Sequence, residues 1–307
     1  SGARSSSSAF PTAELGVFVS PVAGSGALHV DEVVAGGPFD NSRTKLQKGS
    51  LITAIDGEKL EAGKDYFPLL NDKVGKRLLV SFRTASGEQV DEVIRPISSS
   101  ALNDLLYKRW VKQRAEEVER VSKGTLGYVH IPSMGDPSFR TVYSDVMGKY
   151  YQKKGIVIDI RYNGGGRLHE DIEAFFTGKH YADQVVRDRQ YSEMSSRRWN
   201  RPSVLVTSEA DYSNAHGTPW VYQHLKVGKV VGMPVAGTMT SVNWVTLLDP
   251  SVYFGIPAVG FRLFDGRYLE NTQMEPDVVV PLDPTKVLQG VDTQIEKAVE
   301  VLRTETK

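Results

Sequence analysis

Two hydrophobic periods run along the chain, and the change from one to the other divides it. Between Glu14 and Ile94 apolar residues come in short alternating runs: Leu15–Val19, Leu28–Val34, Lys48–Gly57, Arg77–Phe82 and Gln89–Ile94, separated by Gly, Pro, Ser and Asp. Alternation with period two predicts half-buried strands, and Asp56-Gly57 is a tight-turn pair. Asp65–Lys73 predicts one short helix. Ala101–Val121 then reads with helical spacing, Leu102, Leu105, Leu106, Trp110, Val111 and Val118 forming the apolar stripe. Lys123-Gly124 ends it.

Beyond that helix, strands and helices alternate. Leu126–Ile131, Gly155–Ile160 and Val204–Thr207 are short, nearly continuous apolar runs, the pattern of parallel strands covered on both faces. Helices are predicted over Phe139–Tyr151, Arg167–Phe176, Thr218–Val227 and Asp292–Arg303. Further strands are predicted at Val230-Val231, Val242–Leu248, Tyr253–Ile256, Ala258–Leu263 and Val278–Val280. Arg187–Arg201 reads as a polar surface loop or lid. The division is therefore a Ser-rich flexible lead-in at 1–12, a mostly β domain at 13–97, a linker helix at 98–124 and an α/β domain at 125–307.

Composition narrows the function classes. Apolar residues make up 40% and charged residues 24%, enough for a sizeable core. Lys+Arg and Asp+Glu both number 37, which gives no support for nucleic acid or an anionic membrane surface as the partner. There are 0 cysteines, so thiol nucleophiles, disulfides and thiolate metal sites are excluded. No apolar run approaches a membrane span, and neither clustered carboxylates nor a His-x-x-x-His pair points to a metal or cofactor.

Three stretches carry candidate chemistry. Ser213, in Asp211-Tyr-Ser-Asn-Ala-His216, stands between a buried strand and a helix start. There a serine is either an N-cap or a nucleophile presented by a turn, with free helix N–H groups beside it. Asp159-Ile-Arg-Tyr-Asn-Gly-Gly-Gly166 ends a strand in three glycines; it is either a tight turn or an anion-binding nest. The register of a P-loop is absent. Glu270-Asn271 lies in a turn-rich link between strands, where an isolated Glu is ordinarily a solvated side chain.

Two resemblances join these stretches. Ala13–Phe18, Gly36-Gly-Pro-Phe39 and Leu46–Gly57 resemble a PDZ domain, with Ser50 where that family usually has Asp. The resemblance implies peptide capture at Leu15, Gly16, Val17 and Phe18 by strand addition. The motifs Gly127–Pro132, Gly155–Gly166, Tyr212–His216, Lys229–Pro234, Gly237-Thr238, Leu269–Asn271 and Glu275–Val278 occur in the order found in tricorn-type, tail-specific serine peptidases, which they resemble. That family implies an α/β core of the ClpP/crotonase type after the PDZ-like domain. It implies Ser213 as nucleophile, Glu270 as the orienting acid, and an oxyanion hole from the Asn214 N–H with Gly164 or Gly165. It also implies peptides or unfolded protein tails as substrates and homo-oligomeric assembly, and it favours a periplasmic or secreted bacterial location.

The resemblance departs at the base. The Ser–Lys branch places a Lys where this chain has Thr238. The tricorn branch takes a His from a helical segment before the PDZ domain, in a run resembling Ser-His-x-Gly-Ala-Arg; this sequence opens at Ser1-Gly2-Ala3-Arg4. The expectation is that the His precedes residue 1 and that the fragment is slow or inactive. His216 is the local candidate for a substitute base. The competing reading is a non-catalytic peptide-binding module, a PDZ domain joined to a degenerate peptidase domain.

Overall fold

The computed structural model describes residues 11–306; most of the expected lead-in, 1–10, lies outside them. The chain divides after Trp110 into two units.

The first unit is an antiparallel sheet built from β1 (Val17–Pro21), β2 (Leu28–Val33), β3 (Leu51–Ile55), β4 (Glu58–Lys59), β5 (Leu78–Arg83) and β6 (Gln89–Ile94). Its spatial order is β1-β2-β3-β5-β6, with β4 folded back on β3. The β3–β4 hairpin turns at Asp56 and Gly57, both at positive φ (49° and 79°), as a primed two-residue turn requires. Alternate residues of β5, Leu78, Val80 and Phe82, are buried and meet Val30, Ile52 and Ile55 in one core. The expected helix at 65–73 is a single 3-10 turn, Phe67–Leu70. Buried Ser50 accepts a hydrogen bond from Gln47 N at 3.1 Å and so closes the turn before β3. Helix α1 (Ser99–Val121) follows the sheet.

The second unit is organised by a five-stranded parallel sheet. Its strands are β7 (Leu126–His130), β8 (Gly155–Asp159), β11 (Ser203–Thr207), β12 (Lys229–Gly232) and β15 (Val278–Val279), and they lie side by side in chain order. Helices α2 (Asp136–Ser144), α3 (His169–Phe176) and α4 (Asn214–His224) lie between successive strands, and α5 (Pro284–Leu288) and α6 (Thr293–Glu305) follow β15. Every residue of β7, β8 and β11 is buried. Ile156, Ile158 and Leu205 pack with Phe175 and Tyr222 of α3 and α4. The intervening Val157, Val204 and Val206 pack with Val118 of α1 and Ile295, Val299 and Leu302 of α6. Each such side chain contributes about 1.5–3 kcal/mol by leaving water.

Three further stretches differ from expectation. The helix expected over 139–151 ends at Ser144 and continues as a wider turn, Asp145–Lys149. The Arg187–Arg201 loop is instead half of a hairpin, β9 (Ala182–Val186) with β10 (Arg189–Met194), turning at Arg187 and Asp188 with φ of 49° and 61°. A second hairpin, β13 (Ser241–Thr246) with β14 (Tyr253–Val259), replaces three expected strands.

Candidate active site

The strands β8 and β11 are hydrogen-bonded neighbours, so the loops leaving their carboxyl ends meet. The first is the glycine turn. Buried Asn163 shapes it, donating from Nδ2 to Ile131 O (2.8 Å) and accepting on Oδ1 from Gly165 N (2.8 Å). Gly165 and Gly166 have φ of 96° and 140°, which only glycine adopts without strain. Gly166 also leaves no room for a side chain, since a Cβ there would lie 2.1 Å from Met134 O.

The second loop carries Ser213. Asp211 is buried and ties the two loops together: its carboxylate accepts from Ser208 N (2.9 Å), Ser208 Oγ (3.0 Å) and Asn163 N (3.3 Å). Burial pushes its pKa up to about 7 against these hydrogen bonds. Tyr212 N donates to Asn163 O at 2.9 Å. Ser213 itself stands at φ 58°, ψ −119°, a conformation that costs a non-glycine residue about 1–3 kcal/mol and recurs at functional sites. It occupies the N-cap position of α4 but its side chain makes no capping hydrogen bond. The residue is half-buried, and among the described residues nothing bonds its Oγ.

The donors around Ser213 are distributed unequally. Gly165 N is engaged by Asn163, whereas Gly164 N, Gly166 N and Asn214 N donate to nothing among the described residues. A Cβ on Gly165 would stand 2.6 Å from Ser213 Cβ and 3.1 Å from Asn214 N, so the two turns are in contact. Ser213 N donates to Thr238 Oγ1 at 3.0 Å. The threonine that stands in the register of the dyad lysine thus supports the serine backbone.

Glu270 lies one step further out. Its Oε2 accepts from Thr240 N at 2.7 Å, in the loop that carries Thr238, and no bond joins it to Ser213. His216 is fully buried and its Nε2 donates to Thr272 O at 2.9 Å; burial lowers its pKa. Its Nδ1 is buried without a partner. The ring therefore braces the Glu270 loop and does not reach the serine hydroxyl. His130 donates to Arg161 O (3.1 Å) from within the core. His169 is held by Asn214.

Leu15, Gly16, Val17 and Phe18 belong to the first unit. Leu15 is buried, Gly16 has φ 72°, and Phe18 is exposed under the Arg109 guanidinium, 5.7 Å from the ring centroid. Arg109 also pairs with Glu32.

Sequence reasoning missed Asp211, Thr238 and Gly166. The signal for Gly166 was its place in the glycine run; the other two act through partners far along the chain. Among the described residues no group of three or more His, Cys, Asp or Glu is placed to hold a metal ion. No helix among them is long and apolar enough to cross a membrane.

The chain is similar to known proteins along most of its length. It is 27% identical over 256 residues to the tricorn protease of Thermoplasma acidophilum, an alignment covering 83% of this chain and 24% of that protein. It is 26% identical over 269 residues to a tricorn protease homolog of Saccharolobus solfataricus, covering 86% and 24%. The chain thus spans about a quarter of the length of these relatives. A crystal structure of the tricorn protease superposes with a TM-score of 0.80 at 23% identity, over 96% of this chain and 29% of that one, and shows the shared fold. The model of peptidase family S41 matches residues 125–280, just over half of the chain. That span takes in the glycine turn, Ser213 and Glu270, and with it the resemblance read from the motifs is borne out: the chain belongs to peptidase family S41.

Proposed function

We propose that the chain is a tricorn-like serine peptidase segment in which Ser213 attacks the peptide carbonyl. The observation that carries this reading is the state of Ser213. It sits at a helix N-terminus in a strained conformation, caps nothing, and stands against the glycine turn, two of whose N–H groups are unengaged among the described residues. In the reaction Oγ forms a bond to the carbonyl carbon and its proton passes to a base. The oxyanion is held by Asn214 N–H with Gly164 or Gly166 N–H at the positive end of α4. The amine leaves with a proton, and water hydrolyses the acyl-enzyme. By the resemblance, the base is a His from a segment preceding the PDZ-like one. Glu270 acts through the loop that holds Thr238. We further propose a PDZ-like first unit, in which β1, at the sheet edge, captures peptide by strand addition. The core is proposed to be ClpP/crotonase-like. Exposed Trp244, Tyr253, Phe254 and Ile256 on the β13–β14 hairpin support self-association.

A cavity of ≈ 890 Å³ adjoins the serine helix, lined among others by His169, Trp220, Leu225, Met239, Phe261 and Leu263. Met239, which lines it, packs against Gly217, whose missing Cβ would lie 2.4 Å from the Met239 sulfur. The apolar and aromatic part of this lining favours a large apolar side chain next to the scissile bond. The test is to digest a peptide library with the full-length protein and map the cut sites. Cleavage beside large apolar residues, abolished in Ser213→Ala, is expected. Cleavage that survives in Ser213→Ala would sink the reading.

A further inference from the structure

The cavity along helix α4 is lined mainly by apolar side chains, and the orientation of the His169 ring that enters it is fixed by the residue after the serine. Asn214 Oδ1 accepts from two backbone donors at the start of α3, Leu168 N (2.8 Å) and His169 N (3.2 Å). Backbone N–H groups can only donate, so the amide cannot be flipped. Its Nδ2 therefore faces His169 Nδ1, at 2.8 Å. An amide NH₂ only donates, so Nδ1 must accept, and the imidazole carries its proton on Nε2. The ring is half-buried and meets the Phe261 ring edge-on, centroids 6.0 Å apart. Nε2 has no acceptor among the described residues. His169 thus presents a donor of fixed direction and tautomer at a cavity whose apolar walls include Trp220, Met239, Phe261 and Leu263.

The other polar groups lining the same cavity, His224, Arg262, Asp265 and Arg267, are different in kind. Arg267 is paired with Asp265, His224 is stacked on Trp220, and Arg262 is exposed on a long side chain. None has its hydrogen-bonding direction set by a buried partner.

We propose that His169 determines specificity, its Nε2–H donating to an acceptor on the substrate side chain that fills this cavity, so that tyrosine is preferred to phenylalanine there. The proposal rests on the peptidase reading of Ser213 and adds the substrate class. A flat ring suits the aromatic walls, and its hydroxyl oxygen meets the one oriented donor. A pocket that hydrogen-bonds a substrate group discriminates against the analogue lacking it, because its own polar atom is otherwise desolvated without a partner. His169 is half-exposed, so the discrimination is moderate, about tenfold in kcat/KM.

The experiment compares two peptides that differ only in Tyr or Phe at the residue filling the cavity, using the full-length protein. The wild type is expected to favour Tyr about tenfold. His169→Leu is expected to bring the ratio to about one, whatever it does to the absolute rates, and His169→Gln, which restores an N–H donor, is expected to recover part of the preference. A fluorophosphonate probe run in parallel separates the two levels of the account. If Ser213 is labelled but neither peptide is cut, or both are cut without preference, or the preference survives in His169→Leu, the role of His169 is overturned and the nucleophile stands. If Ser213 is neither labelled nor required for cleavage, the peptidase reading falls and the inference with it.

Discussion

Gly165→Ala is expected to slow acylation of Ser213 by about 10²–10³-fold while leaving a folded protein, the loss seen when an oxyanion donor is displaced. The added Cβ would stand 2.6 Å from Ser213 Cβ, 2.8 Å from Tyr212 O and 3.1 Å from Asn214 N. None of these is the end of a flexible side chain, so the clash is relieved only by moving the two turns apart. Alanine also resists φ of 96°. The displacement separates the nucleophile from the N–H groups of Gly164 and Gly166, and a misplacement of about 1 Å is enough to cost two orders of magnitude. The check is the second-order rate of fluorophosphonate labelling, with a thermal melt to show that the fold persists. Gly148→Ala, where a Cβ meets nothing within 4 Å, is the matched control and is expected to label at the wild-type rate. A Gly165→Ala protein that labels as fast as wild type would contradict the close approach of the two turns.

The second large effect is on stability. Arg161→Met is expected to destabilise the second unit by about 3–5 kcal/mol, the cost of removing one partner from a buried ion pair. The Arg161 guanidinium is 1% exposed. It bonds Asp159 through Nε and Nη2 (2.6 Å for the latter), and Asp292 (2.9 Å) and Gln294 Oε1 (2.9 Å) through Nη1. Burial alone would push the Asp159 carboxyl up, but the Arg161 charge and hydrogen bonds outweigh it, and its pKa lies below the usual carboxylate value. Asp292 also N-caps α6, accepting from Gln294 N and Ile295 N. Removing the guanidinium leaves two buried carboxylates facing each other with Arg114, 3.4 Å from Asp292, as the remaining cation. Urea unfolding of the variant reads the loss directly. A midpoint unchanged from wild type would show that the network contributes no net stability. The same residues start the glycine turn, so this buried cluster anchors one side of the site.

The fold was legible where a single strand or helix decides its own pattern. Gly155–Asp159 and Ser203–Thr207 announce two-sided burial because parallel strands between helix layers have no polar face. The β9–β10 hairpin is hidden in the sequence because all of Ala182–Val186 is exposed, so nothing drives alternation, and Arg187-Asp188 is not a usual primed-turn pair. Helix α4 begins at Asn214, four residues before the expected Thr218, because Gly217 and Pro219 disguise its first turns. Gly217 is needed for close packing on Met239.

The site was legible in part for a related reason. Three glycines and a serine before a helix can be read locally, but which glycine keeps a free donor depends on Asn163 Oδ1 capturing Gly165 N. The supports of Ser213 are non-local. Thr238 and Asp211 reach the serine turn and the glycine turn across 25 and 48 positions of sequence, and no periodicity encodes such pairs. That Ser213 does not cap its helix follows from backbone angles, which residue type does not reveal.

The central claim is that Ser213 is an activated nucleophile. It is tested most directly by treating the full-length protein with a fluorophosphonate probe and locating the adduct by peptide mass spectrometry. The account predicts one labelled peptide, modified at Ser213 and absent in Ser213→Ala. A label on another serine, or labelling undiminished in Ser213→Ala, would contradict it.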